Sequence, residues 1–372
     1  MKIAMFGHKR IPSREGGVEI VVENLASRMA EKRYDVTVYN RKGHHVSGSE
    51  FDSESGKDKL SKVKIKTVFT FQNSSLNAIV YSILSAIRVS FSKCDVVHIH
   101  AEGPASMSFL PKFFGKKVIV TIHGLDWQRS KWGGFATKFL KYGEKNAAKY
   151  ANEVIVLSKN VQKYFKDTYD RDTVYIPNAV DKPVIKSDEE IKKLYGLKKD
   201  GYILFLGRIV PEKGIHYLIK AYNELDCGKK LVIAGGASHT SEYVNEVKQL
   251  ASGNNNIIFT DFVQGEVLEE LYSNAYIYVL PSDLEGMPLS LLEAMSYGNC
   301  CITSDIAECT EVCEKNAIYF KKSDINDLKN KLEFALNNEN KVNKYKEKAS
   351  DFICAKYNWN SVVEQTLELY KK

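Results

Sequence analysis

Short apolar runs alternate along the chain with longer stretches of mixed polar and apolar residues. The first series reads KIAMFG, DVTVYN, KIKTVFTF, DVVHIH, KVIVTIHG, EVIVLS and TVYIPN, and after Pro177-Asn178 a second reads YILFLG, LVIAGG, NIIFTDFV, AYIYVLP and CCITSD. Runs of this kind suit strands covered on both faces, and the helix-length segments between them suit crossover connections. The pattern predicts an α/β protein with two doubly wound parallel-sheet domains. The charged, proline-bearing stretch DKPVIKSDEEIKKLYGLKK marks the joint, giving an N-terminal domain over 1–180 and a C-terminal domain over 181–356. Leu76 to Phe91, LNAIVYSILSAIRVSF, is interrupted by serines and Arg88 and is short for a bilayer span, so it reads as a packed crossover helix. Ligands of open parallel sheets lie beyond the strand C-termini, so the loops after strands carry the chemistry, and two such domains offer a cleft between facing strand ends.

Composition narrows the setting. The chain has 372 residues, 44% of them hydrophobic and 8 of them proline, enough for two cores. Seven cysteines and an N-terminus that enters an apolar run directly point to a reducing cytoplasm, with free thiols. Cys309 and Cys313 are four apart but have no second pair to complete a metal site. Charge differs by half: residues 1–180 hold 29 Lys and Arg against 17 Asp and Glu, a balance of +12, while the remainder carries −5. Lys112, Lys116 and Lys117 around Phe113 and Phe114, or Arg41, Lys42, His44 and His45, suit an anionic lipid surface or simply a solvated basic face. No helix-turn-helix, zinc-finger or RNP-like pattern accompanies the charge, so nucleic acid is not expected.

Four loops hold candidate chemistry. In GHKRIPSREGG, Gly16 and Gly17 precede a helix whose N-terminus suits a phosphate, although the spacing is not G-x-G-x-x-G and Arg10 and Arg14 sit inside the loop. In YILFLGRIVPEKGIHY, Arg208 follows the strand and Lys213 precedes the helix, a pair of cations suited to a diphosphate. In YIYVLPSDLEGMPLSLLEAMSYG, Glu285 and Gly286 stand at the loop tip and Pro288 at a first-turn position, with the backbone N–H groups of Met287 and Leu289 at the helix start. Eight residues at about 100° each return Glu293 to within roughly 80° of Glu285, about 12 Å along a common axis, so one acid can hold a sugar and the other a ribose. Their bland readings are a helix-dipole acid at Glu285 and a buried, partnered acid at Glu293. In TIHGLDWQRSKWG, His123 ends a strand as either a satisfied core residue or a reacting group; Asp126, Trp127, Arg129 and Trp132 suit a saccharide acceptor, and Asp126 equally suits a helix N-cap.

The motifs GR-x3-EKG at 207–214, EGMPLSLLEA at 285–294, IPNAVD at 176–181 and TIHG at 121–124 together resemble the retaining nucleotide-sugar glycosyltransferases of family four, which have the GT-B fold. The N-terminal FGHKRIPSREGGVE and HGLDWQRSKWG resemble a bacterial subgroup, including rhamnosyl- and galactosyltransferases, that builds capsule, cell-wall or O-antigen polysaccharides. The resemblance implies that Arg208 and Lys213 bind the donor diphosphate, that Glu285 contacts the donor sugar, and that Glu293 takes the ribose hydroxyls. It also implies that His123 lies beside the reacting bond, that Gly16 and Gly17 close over the phosphates, and that Val263 reads the nucleobase through its backbone. Many relatives carry glycine where Pro288 stands. The terminal helix, 357–372, is expected to rejoin the N-terminal, acceptor-binding domain, and the C-terminal domain to bind the nucleotide sugar.

The expected reaction transfers a hexose or deoxyhexose from a UDP- or TDP-sugar, without cofactor or metal, to a saccharide acceptor. That acceptor is expected to be lipid-linked at the cytoplasmic face of the membrane. Same-face attack, with the departing phosphate oxygen helping to take the acceptor proton, is expected over a double displacement through Glu285. Asp170-Arg171-Asp172 has the D-x-D form of a metal-dependent relative but reads as a polar turn. An NAD-dependent oxidoreductase should show a clean G-x-G-x-x-G, which is absent. A silent binding protein would tolerate loss of Arg208, Lys213 or Glu285, and all three are present.

Overall fold

The computed structural model describes residues 1–42, 49–71, 74–129, 133–236 and 241–372. The chain divides into two compact units, Met1–Asn178 with Trp359–Lys372, and Ala179–Asn358. Each unit is built on one parallel sheet.

The first sheet contains β1 (Lys2–Phe6), β2 (Asp35–Arg41), β3 (Lys64–Val68), β4 (Val96–His100), β5 (Lys117–Ile122), β6 (Glu153–Val156) and β7 (Val174–Tyr175), in the order β3-β2-β1-β4-β5-β6-β7. All pairings are parallel. The helix Ser74–Ser90 carries the chain from the β3 edge back to β4, which pairs with β1 on the side opposite β2. The order in which strands are added therefore reverses between β1 and β4, and the connections leaving these two parallel strands diverge there. Gly7, just past β1, has φ +120°, and a Cβ on it would lie 2.0 Å from the His100 carbonyl oxygen at the end of β4. Only glycine permits this approach. The helix Trp359–Lys371 completes the unit, burying Trp359, Val362, Val363, Leu367 and Tyr370, with the Arg28 guanidinium 5.8 Å from the Trp359 ring centre.

The second sheet contains β8 (Tyr202–Leu206), β9 (Lys230–Ala234), β10 (Ile257–Asp261), β11 (Ile277–Leu280), β12 (Cys301–Ser304) and β13 (Ile318–Phe320), in the order β10-β9-β8-β11-β12-β13. Its reversal falls between β8 and β11. The strand β13 is an addition to the five expected: three residues at a sheet edge are too few to show a period. Within the charged stretch after Asp181, Glu189–Tyr195 form a helix closed by Gly196 in the left-handed region, and the Ile191 N–H donates to Glu270 at 3.0 Å. All seven cysteines are free. Cys301, Cys309 and Cys313 are buried together with apolar neighbours, and burial raises their thiol pKa values, which keeps them protonated and unreactive.

Candidate active site

In the second unit the loops after β8 and β11 meet. The first forms a short turn, Pro211–Lys213, followed by Gly214 at φ +65° and the helix Ile215–Asn223. A Cβ on Gly214 would fall 2.1 Å from the Pro281 carbonyl oxygen, so glycine is required for the loops to touch. The Asp283 N–H donates to the Glu212 carbonyl at 2.9 Å, and the Tyr217 hydroxyl to the Asp283 carboxylate at 3.0 Å. These contacts bring Lys213 Nζ to 2.5 Å from Glu285 Oε1, which also accepts from Ser282 Oγ at 2.6 Å. The Lys213 and Glu285 side chains are only 13% and 8% exposed. Arg208 lies on the same loop as Lys213, two residues past β8, and is partly buried.

The helix after β11 begins at Leu289 with Pro288 as its N-cap, one position earlier than the first-turn place expected for the proline. Glu285 therefore precedes the helix, and the helical-wheel angle between it and Glu293 does not apply; Gly286 and Met287 form the turn between them. Glu293 Oε2 accepts from the Tyr272 hydroxyl at 3.1 Å, and the Tyr272 ring stacks on Tyr297 with centroids 5.2 Å apart. Val263 stands two residues past the edge strand β10, separated by β9 from β8. Lys213 and Glu285 are thus brought together directly, whereas Glu293 and Val263 are positioned by other elements.

In the first unit, Gly16 is the N-cap of the helix Gly17–Glu31, in an extended conformation open to any residue. A Cβ there would meet only the flexible Glu19 carboxylate, so backbone geometry does not demand glycine at position 16. The loop before it is tied down. Arg14 pairs with Glu23 through both terminal nitrogens at 3.1 and 3.2 Å, and Arg10 pairs with Asp52. Asn40, at the end of β2, accepts from the Ile11 N–H and donates to the Ile11 carbonyl, while bonding His8 Nε2 at 2.8 Å.

The ends of β4 and β5 form a histidine array. His98 and His100 project from one face of β4 with ring centroids 4.1 Å apart. His98 bonds Thr121 Oγ1 at 2.7 Å and the Tyr370 hydroxyl at 2.6 Å, and His100 Nδ1 lies 3.1 Å from His123 Nε2. Burial lowers the pKa of His98 to about 3 and that of His123 to about 4, and holds His100 well below the ordinary imidazole value, so all three rings are neutral at neutral pH. A neutral His123 can donate or accept one hydrogen bond but brings no positive charge.

Beyond Gly124, Asp126–Gln128 form a single 3-10 turn capped by Leu125. Asp126 is not the N-cap of the next helix, which starts at Gly134; its carboxylate pairs with Arg129 Nε at 2.9 Å. Lys141 Nζ stands 4.0 Å from the Trp127 ring centre. Trp132, His44 and His45 lie outside the described residues. Of the lysines beside Phe113 and Phe114, Lys116 is anchored to the Ser92 and Cys94 carbonyls and Lys117 to that of Tyr370, while Lys112 reaches Asn152. The aromatic rings stay out: Phe113 is 85% and Phe91 72% exposed, with Phe91 and Phe114 centroids 4.7 Å apart. Asp170, the left-handed C-cap of the helix Lys159–Tyr169, and Asp172 both pair with Lys166, at 2.9 and 3.2 Å. No helix among the described residues is long and apolar enough to cross a membrane.

His98, His100, Asn40, Glu102 and Glu144 were not singled out from sequence. Polar residues at alternate positions of the otherwise apolar DVVHIH were the available signal for the two histidines.

Two family models tile this architecture: Glycosyltransferase Family 4 matches residues 15–182, and Glycosyl transferases group 1 matches residues 187–352. The chain belongs to the group 1 and family 4 glycosyltransferases of the GT-B superfamily. This glycosyltransferase is 24% identical to the alpha-maltose-1-phosphate synthase of Mycolicibacterium smegmatis, over 100% of this chain and 99% of that protein. It is 27% identical to an Escherichia coli UDP-Gal:alpha-D-GlcNAc-diphosphoundecaprenol alpha-1,3-galactosyltransferase, over 64% and 66% of the two chains. Its fold matches that of Anabaena Alr3699/HepE, solved with UDP and glucose, at a TM-score of 0.81 and 16% identity, covering 99% of this chain and 98% of the other. WaaG, a glycosyltransferase involved in lipopolysaccharide biosynthesis, matches at a TM-score of 0.76 and 15% identity, covering 100% and 99%.

Proposed function

We propose that this glycosyltransferase moves a hexose or deoxyhexose, with retention, from a UDP- or TDP-sugar to a lipid-linked saccharide in bacterial surface-polysaccharide synthesis. The observation that carries the donor assignment is the meeting of Lys213 with Glu285 at the reversal of the second sheet, where open α/β sheets receive nucleotides. Arg208 and Lys213 take the diphosphate and stabilise the charge that develops on it as the glycosidic bond breaks, a role that needs no metal. Glu285 holds donor-sugar hydroxyls and orients Lys213, with Gly286, Met287 and Leu289 lining the same turn. Glu293 takes the ribose hydroxyls, and Val263 the base.

In the first unit, His123 stands beside the reacting bond, Gly16 and Gly17 face the donor phosphates, and Asp126, Trp127 and Arg129 recognise the acceptor. Attack on the same face as departure, with the leaving phosphate oxygen drawing the acceptor proton, accounts for retention without a covalent intermediate on Glu285. The exposed Phe91, Phe113 and Phe114 beside Lys112, on the basic N-terminal half, support docking on an anionic membrane, consistent with a lipid-linked acceptor and a place on the cytoplasmic face. Nucleotide binding tests the donor half of this reading. UDP or TDP should bind the wild type and bind Lys213→Ala at least about tenfold more weakly, since a charge-assisted contact is lost. Equal affinity in the two proteins would overturn it.

A further inference from the structure

We infer that Glu102 and Glu144 form a buried two-carboxyl support for the Asp126–Gln128 turn, and that Glu102 is the positioning residue through which the first unit holds its acceptor loop; the acceptor part rests on the reading above. Both side chains are fully buried. The Glu102 carboxyl oxygens accept the Asp126 N–H at 3.1 and 3.2 Å, so the loop leaving β4 grips the loop leaving β5 at the first residue of the turn. Behind Glu102 lies Glu144, whose carboxyl helps to raise the Glu102 pKa; its Oε2 accepts from the hydroxyls of Tyr164 and Tyr169 at 2.9 and 2.8 Å, and its buried Oε1 has no hydrogen-bond donor among the described residues. The Tyr164 ring faces Trp127, with centroids 6.2 Å apart. The pair therefore reaches the turn twice, through the Asp126 backbone and through the floor beneath the Trp127 indole.

Two backbone features hold the carboxyls in place. Ala101, directly before Glu102, adopts φ +72° and ψ 159°, a conformation left almost wholly to glycine. Gly143, directly before Glu144, lets its helix come so near that a Cβ would sit 1.9 Å from the Glu102 carbonyl oxygen. A strained residue and an obligatory glycine flank two acids that, among the described residues, have no Lys or Arg partner. Two neighbouring carboxylates in a buried site cannot both be charged, so one proton is retained between them. Burial, with Asp126 and Glu144 adding to it, raises the Glu102 pKa far above the ordinary carboxyl range, which makes Glu102 the protonated member. Its carbonyl oxygen then receives the Asp126 N–H while its hydroxyl is left to donate toward Glu144, whose Oε1 otherwise lacks a donor. A glutamine reproduces that pattern, because its amide accepts on one side and donates on the other.

The test compares wild type with Glu102→Gln, Glu102→Ala and Tyr164→Phe, using amide hydrogen exchange over Leu125–Gln128 and separate acceptor and donor KM values. Glu102→Gln should match wild type in both. Glu102→Ala should exchange the Asp126 amide about tenfold faster and raise acceptor KM about tenfold, the loss expected for one buried hydrogen bond, with donor KM unchanged. Tyr164→Phe keeps the ring and should show a smaller effect in the same direction, which serves should Glu102→Ala not fold. Unchanged exchange in both Glu102→Ala and Tyr164→Phe, or a folded Glu102→Gln that behaves like Glu102→Ala, would overturn the support. Exchange needs no substrate. The expected exchange pattern in a protein that transfers no sugar would uphold the support and overturn the function proposed above, and a donor KM that moves while acceptor KM does not would overturn the link to the acceptor.

Discussion

Lys213 Nζ and Glu285 Oε1 lie 2.5 Å apart, on loops that leave the adjacent strands β8 and β11 on either side of the point where the second sheet reverses. The pair is mostly sheltered from water, so removing one partner strands the other's charge. Lys213→Met or Glu285→Leu alone should cost about 3 kcal/mol of stability, and the double variant less than the sum of the two. Denaturant unfolding of the four proteins completes the cycle, and additive losses would show that the pair is not coupled.

The approach of those loops depends on Gly214. With φ at +65° and the Pro281 carbonyl oxygen 2.1 Å from the place of a Cβ, Gly214→Ala must move one loop off the other. It should cost about 2–4 kcal/mol and weaken nucleotide binding. Thermal melts with and without UDP check both; a native melt with native UDP affinity would mean that the loops need not touch.

Acid should unfold the first unit early. Burial lowers His8 and His123 to about 4 and His98 to about 3, with His100 also well below 6.5. These rings are neutral when folded and take up protons near 6.5 once unfolded, so their contribution is complete above that pH and is lost as pH falls toward 4. Each adds a slope of up to about 1.4 kcal/mol per pH unit across that window. Glu102, protonated when folded, acts in the opposite sense above the ordinary carboxyl range, one group against four. Melting temperature should therefore drop steeply between pH 6.5 and about 5; a flat profile would show that the histidines are accessible and already protonated in the folded state.

The exposed rings give a separable test of lipid contact. Phe91→Ser and Phe113→Ser should each reduce affinity for anionic vesicles about tenfold, the equivalent of one partly inserted aromatic side chain, while changing stability by under about 0.5 kcal/mol. Vesicle co-sedimentation at low salt measures it, and unchanged binding would remove the membrane from the account.

Much of this architecture was readable from periodicity. All seven runs of the first series became strands, as did the five of the second, because buried parallel strands announce themselves as apolar runs bounded by turns. The three-residue β13 was not readable, for want of length. At the site, the motif residues Lys213 and Glu285 were legible singly, but the contact between them spans 72 residues of chain and has no local signature. The wheel relation between Glu285 and Glu293 failed because the helix starts four residues later than Glu285. Asn40, Glu102 and Glu144 stayed invisible for a related reason: each is a polar residue whose partners lie 20 or more residues away, and a lone buried acid looks in sequence like any surface acid.

The most direct test of the account is nucleoside-diphosphate release from UDP-, TDP- and GDP-sugars, in EDTA and with bacterial lipid extract as acceptor, by wild type, Lys213→Ala and Glu285→Gln. Wild type should release nucleoside diphosphate from one donor, stimulated by extract, and either variant should release at least about a hundredfold less. Equal release by all three proteins, or wild-type release that depends on added metal, would contradict the account.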